Sequence, residues 1–319
     1  MKADGARRYL RYALAAVLFA GCAVLVYRRR DLFASVANLS AATIAVILCS
    51  KFAVQQATAY RFKLLAKLFG MELTPREWMG LTAVTILYGR LLPARLGVLP
   101  RAYYLKKKYD FDYASYVSLF ASLTVVDMFL CASVATVVCI LTGVDAVVTR
   151  LFAAALGFTV LGSVALVAAA RYWPALRWQR LNRAVTRFRA GFALYARDRK
   201  GAARVLVATL VAVLARAFAM WTCFWGIAAD VPLAAPLLIS LGAQLTLVVS
   251  LTPGNFGVTE ATIIGLGTLL GVPLEVGVSA ATVSRLSSLL VQVVLGLFYS
   301  QLLFGSISRP VPNQEPLDR

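Results

Sequence analysis

Six predominantly apolar runs of about 20 residues or more constrain this chain more than any other feature. The runs are residues 9–27, 40–60, 113–141, 151–170, 205–229 and 276–304. Crossing a hydrocarbon core of about 30 Å takes about 20 residues of α-helix. Each run is therefore predicted to form one transmembrane helix.

Two further apolar regions, residues 73–100 and 233–271, are interrupted by prolines and glycines. The candidate hinges are Pro93, Gly97, Pro253, Gly254 and Gly257. Proline ends a helix, and a broken helix is tolerated at membrane depth only where protein or a wet cavity satisfies its backbone. Each region is therefore predicted to be a re-entrant helical hairpin. The predicted fold is an all-α polytopic integral membrane protein with about six transmembrane helices and two such hairpins.

The two interrupted regions share an internal repeat. Residues 91–98 superimpose without a gap on residues 251–258, with the common pattern L-x-P-x-x-x-G-V. Each copy follows one span and precedes another, and the hairpins are predicted to enter from opposite sides. This arrangement is an inverted repeat, which is typical of transporters. The alternative is that the hairpins only fill space between the spans.

The repeat divides a single membrane domain, residues 1–305. Repeat 1 covers about 39–142, repeat 2 covers about 205–304, and residues 151–170 connect them. Residues 171–204 are predicted to form a basic amphipathic segment on the inner leaflet, and residues 306–319 a polar tail.

The chain is strongly basic, with 33 Lys and Arg against 14 Asp and Glu and no histidine. The re-entrant arrangement places most of the cations in loops on one side of the membrane, including Arg61 and Arg101, and the positive-inside rule assigns this side to the cytoplasm together with both termini. A membrane topology thus accounts for the charge without a nucleic-acid partner. The absence of histidine excludes His-ligated zinc and histidine acid/base chemistry. No metal or cofactor is expected.

Several charges fall within the predicted membrane segments. They are Lys51, Arg90, Arg95, Asp127, Arg216, Glu260 and Arg285. Each charge at the centre of a helix costs roughly 2.5–3.5 kcal/mol on insertion scales, so each needs a partner or a wet cavity. The cations outnumber the acids. The surplus predicts a cavity suited to an anion, most naturally a phosphate.

The roles of these charges stay open at this level. Glu260 either caps the half-helix after Gly257 or pairs with Arg285 in a contact that a substrate or a proton opens. Asp127 is expected to pair with Arg90 or Arg95, in a structural or a gating contact. For Lys51 and Arg216, the sequence does not distinguish a cavity-lining role from bonding to nearby backbone.

The motifs in both hairpins resemble those of the lysylphosphatidylglycerol synthase transmembrane-region family, from about residue 39 to residue 303. The C-terminal motif is Pro253-Gly254-x-x-Gly257-Val258-x-Glu260, followed by Gly271-Val272 and Arg285. The N-terminal motif is Leu92-Pro93-x-x-x-Gly97-x-x-x-Arg101, followed by Asp127. The chain departs from the family pattern at Val98, Leu123, Thr124 and Asn255. An acidic residue, a Glu-Arg pair and a second glycine are usual at these positions.

The resemblance implies a flippase-like module without the soluble synthase domain that some members carry. The expected substrate is an anionic membrane lipid or lipid-linked intermediate of phospholipid, polyprenyl-phosphate or hopanoid type, moved across the bacterial inner membrane. Candidate binding or gating residues are Glu260, Arg285, Asp127, Arg95, Arg101 and Arg90. The chain is expected not to be an enzyme, and lipid-biosynthesis enzymes are candidate partners. The alternatives are a lipid-modifying transferase using Asp127 or Glu260, and an accessory or scaffold subunit.

Overall fold

The fold is known from a computed structural model, which describes residues 39–91, 96–172, 198–246, 255 and 257–307. The predicted first span, residues 173–197 of the amphipathic segment and the tail beyond Ile307 lie outside the described residues. So do four of the candidate site residues, namely Pro93, Arg95, Pro253 and Gly254.

Every regular element in the described part of the chain is helical. The α-helices are α1 (Ala41–Leu68), α2 (Pro75–Leu91), α3 (Leu99–Tyr109), α4 (Tyr113–Thr142), α5 (Ala146–Tyr172), α6 (Arg199–Gly226), α7 (Ala234–Thr246), α8 (Val258–Leu269) and α9 (Leu274–Ile307). A short 3-10 turn, Leu96–Val98, precedes α3. Five helices (α1, α4, α5, α6 and α9) are long and apolar enough to cross a membrane. The prediction of an all-α polytopic membrane protein is confirmed.

Helices α1 and α6 pack against each other in antiparallel orientation. Ser50 Oγ lies 3.0 Å from Thr222 Oγ1, so an early part of α1 meets a late part of α6. Gly226, at the end of α6, lies directly against Thr43 and Ile47 near the start of α1. Small residues at such contacts let membrane helices approach closely, where van der Waals packing and hydrogen bonds replace the hydrophobic effect.

Helices α2 and α3 form the first hairpin. Arg101 Nε of α3 donates to the carbonyl oxygen of Leu81 at 3.4 Å, and Gly97 lies against the backbone of Gly89, so the arms run antiparallel. With 17 and 11 residues, the arms are about 25 Å and 17 Å long, and neither crosses a 30 Å core.

The predicted bounds of this hairpin, 73–100, are wrong at the second end. The sequence predicts that Pro100 interrupts the apolar region. Pro100 instead occupies the first turn of α3, which continues to Tyr109. Proline is favoured there because its missing N–H has no partner in a helix start anyway. Arg101, which the charge count assigned to a cytoplasmic loop, is therefore a buried helical residue.

Helices α7 and α8 form the second hairpin. Thr262 Oγ1 lies 3.4 Å from Thr246 Oγ1 near the tip, and Gly242 faces the side chain of Leu266 farther down. The arms have 13 and 12 residues, which again is too short to span.

The two halves of the chain repeat the same order of a long helix, two short helices and a long helix. Each hairpin also packs against the last helix of the opposite half, with α2 against α9 and α7 against α4. The corresponding first helices, α1 and α6, are antiparallel to each other, which is the relation expected of an inverted repeat. Both hairpins therefore converge on the centre of the molecule. The repeat boundaries derived from the sequence stay predictions.

A buried carboxylate, Glu77, ties the arms of the first hairpin together at its base. The backbone N–H and the hydroxyl of Thr74 each donate to Oε2 at 2.8 Å. From α3, Tyr104 Oη and Lys108 Nζ donate to Oε1 at 2.8 and 2.7 Å. The hydroxyl of Tyr109 lies 3.0 Å from Oε2. The sequence did not identify Glu77 as a buried acid, although Thr74 and Glu77 have the spacing of a capping box.

The Glu77 contacts predict a pH-dependent contribution to stability. Burial alone would raise the pKa of Glu77, but hydrogen bonds from Lys108, Thr74 and Tyr104 outweigh it and lower the pKa to about 2. The carboxylate therefore stabilises the fold fully above about pH 4.5, and this stabilisation is lost as the pH falls toward 2.

We expect Glu77→Gln to lower the melting temperature of the detergent-solubilised protein at pH 6, and by progressively less between pH 4.5 and 3. Thermal unfolding of both proteins across this range is the measurement. The other titratable groups are the same in both proteins, so their contributions cancel in the difference between the two melting temperatures. A difference that stays constant with pH would contradict the assignment.

Candidate functional site

A cavity of about 480 Å³ lies where the two hairpins converge. Residues from eight of the nine described helices line it, and α5 is the exception. This volume is within the range of about 300–1,000 Å³ that is usual for small-molecule sites. The site is therefore large enough for a polar headgroup.

The lining combines apolar walls with a strongly cationic polar surface. Its apolar members include Val54, Phe62, Ile86, Val98, Phe120, Leu123, Met128, Met220 and Val291. Its charged members are Lys51, Arg61, Arg90, Arg101, Asp127, Arg216 and Arg285. Among the described residues, six cations thus face the cavity with one carboxylate. A site of this charge favours an anion.

Asp127 of α4 is the centre of a buried charge cluster. Its Oδ1 accepts from Arg61 Nη1 at 2.8 Å and from Arg216 Nη2 at 2.7 Å. Its Oδ2 accepts from Gln244 Nε2 at 2.8 Å. The cluster therefore joins α1, α4, α6 and α7 and carries one net positive charge.

These contacts correct two expectations. Asp127 does not pair with Arg90, because α4 faces α1 and α6 at this depth, and Arg95 lies outside the described residues. Arg61 was counted as a loop cation, but α1 continues to Leu68 and leaves the Arg61 side chain 7% exposed.

A signal for Arg61 is present in the sequence. The polar residues of α1 that line the cavity are Lys51, Gln55, Thr58 and Arg61. They follow steps of three and four residues, which place them on one face of a helix. This polar stripe continues past the end of the apolar run, and the helix itself continues to Leu68.

Glu260 makes both of the contacts that the sequence left open. Its Oε2 accepts from the backbone N–H of Gly257 at 2.8 Å, which caps α8. Its Oε1 lies 2.5 Å from Arg285 Nε on α9. The exposed fractions of the Glu260 and Arg285 side chains are 28% and 11%. The pair thus joins the second hairpin to α9 at the edge of the cavity.

Lys51 and Arg90 bring two more cations toward the same part of α9. Lys51 Nζ donates to Ser284 Oγ at 2.9 Å, and Ser284 directly precedes Arg285 in the chain. The Arg90 guanidinium lies within electrostatic range of both Arg285 and Glu260. Within the described part of the chain, the buried Nη1 of Arg90 has no hydrogen-bond partner. The sequence left the role of Lys51 undecided, and the structure makes it a lining residue.

Arg101 has a different environment from the other lining cations. Its guanidinium lies 4.1 Å from the centroid of the Phe62 ring, and its Nε donates to the carbonyl oxygen of Leu81. Both contacts bind α3 to its neighbours. Of the predicted site residues, Arg101 is therefore the one with the clearest packing role.

The described hinge residues have geometries that require small side chains. An added Cβ on Gly97 would lie 2.0 Å from the backbone nitrogen of Gly89. Gly257 has a φ of +83°, a conformation that glycine adopts without steric cost. Asn255 has a φ of +56° and lines the cavity. Asparagine tolerates this left-handed region, which accounts for its presence where the family pattern has glycine.

Helical spans, paired short hairpins and a cationic cavity between inverted halves define a polytopic membrane protein built around a central site. The chain belongs to the lysylphosphatidylglycerol synthase TM region family, whose sequence pattern matches residues 12–296. The resemblance inferred from the hairpin motifs is thereby confirmed. Among curated proteins, no sequence is significantly similar to this chain.

Proposed function

We propose that the protein is a flippase that moves an anionic lipid or lipid-linked intermediate between the leaflets of the bacterial cytoplasmic membrane. The observation that carries the proposal is the central cavity, whose described lining has six cations and one carboxylate. Membership of a lysylphosphatidylglycerol synthase TM region family supports a lipid-related role. The positive-inside rule supports a cytoplasmic location for both termini.

The architecture supports alternating access around this cavity. In transporters built from inverted repeats, rocking one repeat against the other exposes a midplane site to each side in turn. Here the corresponding helices α1 and α6 are antiparallel, and each hairpin packs on the last helix of the opposite half. A movement that opens the cavity toward one leaflet is then matched by an equivalent movement toward the other.

The Glu260–Arg285 contact is the candidate gate. It connects the second hairpin to α9, and both partners retain some exposure. An incoming phosphate is a competing partner for Arg285, since arginine binds phosphate and carboxylate with the same donor geometry. Headgroup binding would release Glu260 and free the hairpin to move.

A lipid-modifying transferase would need a free acid or base among Asp127 and Glu260. Asp127 is held by two arginines and a glutamine, and Glu260 by Arg285 and a backbone N–H. These contacts engage both carboxylates as counter-ions and hydrogen-bond acceptors, which favours transport over chemistry. The proposed function therefore assigns no catalytic residue.

The test is reconstitution of the full chain in vesicles that contain fluorescent phosphatidylglycerol, phosphatidic acid or phosphatidylcholine. Quenching of the outer leaflet by a membrane-impermeant reductant then reports transbilayer movement. We expect faster movement of the anionic lipids than in protein-free vesicles. No acceleration with any lipid would overturn the proposal.

The two gate residues are expected to affect transport in opposite directions in this assay. Arg285→Ala removes a charge-assisted contact to the headgroup phosphate of about 1.5–3 kcal/mol, so the rate should be about 10-fold lower or more. Glu260→Gln removes the charged partner that holds the hairpin closed, so the rate should rise. Arg150→Gln is the matched control, because Arg150 is exposed on α5 outside the cavity lining. Unchanged rates in both gate variants, with the control also unchanged, would remove the gate from the mechanism.

A further inference from the structure

Five of the six cations in the described cavity lining fall into two groups at different depths, and the sixth, Arg101, packs on Phe62. Lys51 and Arg61 are ten residues apart on α1, which is about 15 Å along the helix axis. Arg61 belongs to the Asp127 cluster, where one carboxylate is shared by two arginines. Lys51 belongs to the other group, together with Arg90 and Arg285. The two groups therefore have separate charges and separate partners.

The second group draws its cations from three helices. Lys51 reaches it from α1, Arg90 from α2 and Arg285 from α9, and all three line the cavity. The Lys51–Ser284 hydrogen bond places Lys51 beside Arg285 on α9, and Arg90 interacts electrostatically with Arg285 and Glu260. The buried Nη1 of Arg90 lacks a hydrogen-bond partner among the described residues, so the group has a donor available.

The net charge of this group is its most specific property. Glu260 neutralises one of the three cations, which leaves two positive charges among the residues described here. A phosphate monoester carries two negative charges above its second pKa near 6 and offers three terminal oxygens. A phosphodiester, as in phosphatidylglycerol, carries one negative charge. A headgroup bearing an added ammonium group would be repelled by the unmatched cations.

We propose that Lys51, Arg90 and Arg285 form a headgroup site selective for a lipid that ends in a phosphate monoester. This inference rests on the proposed function and narrows its substrate class. The two arginines supply planar paired donors and Lys51 a compact point charge, a combination suited to a terminal phosphate. Ser284 and Ser288, one helical turn apart on α9, line the same side of the cavity.

The test is binding of lipids to the purified full chain, measured by native mass spectrometry or thermophoresis in detergent. Dioleoyl phosphatidic acid is compared with dioleoyl phosphatidylglycerol at pH 8 and pH 5. We expect phosphatidic acid to bind about 10-fold more tightly at pH 8, and this ratio to approach one at pH 5, where the phosphate holds a single charge. Phosphatidylglycerol is singly charged at both pH values, so it serves as the reference for any effect of pH on the protein itself.

Two variants test the residues. Lys51→Gln retains a hydrogen-bond donor for Ser284, and Arg90→Gln removes a group whose buried Nη1 makes no hydrogen bond to the described residues, so neither should disturb the fold. Each is expected to reduce the pH 8 ratio at least about threefold, while Arg150→Gln leaves it unchanged. Equal binding of both lipids at pH 8, or a ratio insensitive to both variants, would overturn the inference.

Free phosphate is the other source of the same chemistry. Inorganic phosphate is expected to compete with phosphatidic acid only at far higher concentration, because it lacks the acyl chains, and competition at equal concentration would overturn the lipid assignment. These outcomes are separate from the vesicle assay. Transport without selectivity for a phosphate monoester in the binding assay would overturn this inference alone. Selective binding without transport of any lipid would overturn the proposed function.

Discussion

Replacing Asp127 by asparagine is expected to destabilise the protein by about 3–5 kcal/mol, because two buried cations lose their shared counter-ion. Arg61 and Arg216 both bond to Oδ1 of Asp127, and their side chains are only 7% and 16% exposed. An asparagine of the same shape still offers one oxygen but no charge. Two adjacent guanidinium groups would then repel each other in a largely dry environment.

The measurement is thermal unfolding of the detergent-solubilised variant. Asp145→Asn is the matched control, because Asp145 caps the start of α5 through the N–H of Val147 and asparagine caps equally well. The double variant Arg61→Gln with Asp127→Asn should lose less than the sum of the single variants, since removing one arginine relieves the repulsion. A melting temperature for Asp127→Asn equal to that of the control would show that the cluster does not stabilise the helix bundle.

Gly97→Ala is expected to displace the tip of the first hairpin and to abolish most transport. The added Cβ would lie 2.0 Å from the nitrogen and 2.2 Å from the Cα of Gly89. Both atoms belong to the backbone, so no change of rotamer relieves the overlap, and the turn must separate from α2. We expect a loss of about 3 kcal/mol, the upper part of the range for overpacking.

A graded comparison tests this prediction. At Gly242 in the second hairpin, an added Cβ would meet the side-chain Cδ1 of Leu266, which can rotate away, so Gly242→Ala should be milder. At Gly157 on α5 it would meet nothing within 4 Å, so Gly157→Ala should be neutral or slightly stabilising. Melting temperatures and transport rates that fail to follow the order Gly157, Gly242, Gly97 would contradict the close approach in the first hairpin.

The spans were predictable because hydropathy is a local property. An apolar run of sufficient length must be buried in lipid or in protein, whatever its neighbours are. The start of α4, for example, is at the predicted residue. The hairpins were predictable for a similar reason, since proline and glycine limit helix length through their own backbone. Pro100 shows the limit of that argument, because a proline also begins helices, as it does in α3.

The charge pairing was only partly predictable. The Glu260–Arg285 contact joins α8 to α9, which are adjacent in the chain, so the candidates were few. Asp127 instead draws its partners from α1 and α6, which lie far from α4 in sequence. Glu77 was missed because its donors Tyr104 and Lys108 approach only after the first hairpin has folded back.

The sequence by itself determined that this chain is a helical membrane protein with two interrupted regions and a surplus of intramembrane cations. These properties follow from terms that add along the chain, namely apolar transfer, helix breaking and formal charge. Only the tertiary structure decided which cations are neutralised and where the remainder lies. An ion pair depends on which helices are neighbours in space, because in a medium of low polarity a few ångströms separate a buried counter-ion from an unmatched charge. The cations that keep no matching carboxylate are therefore concentrated in a site beside Arg285.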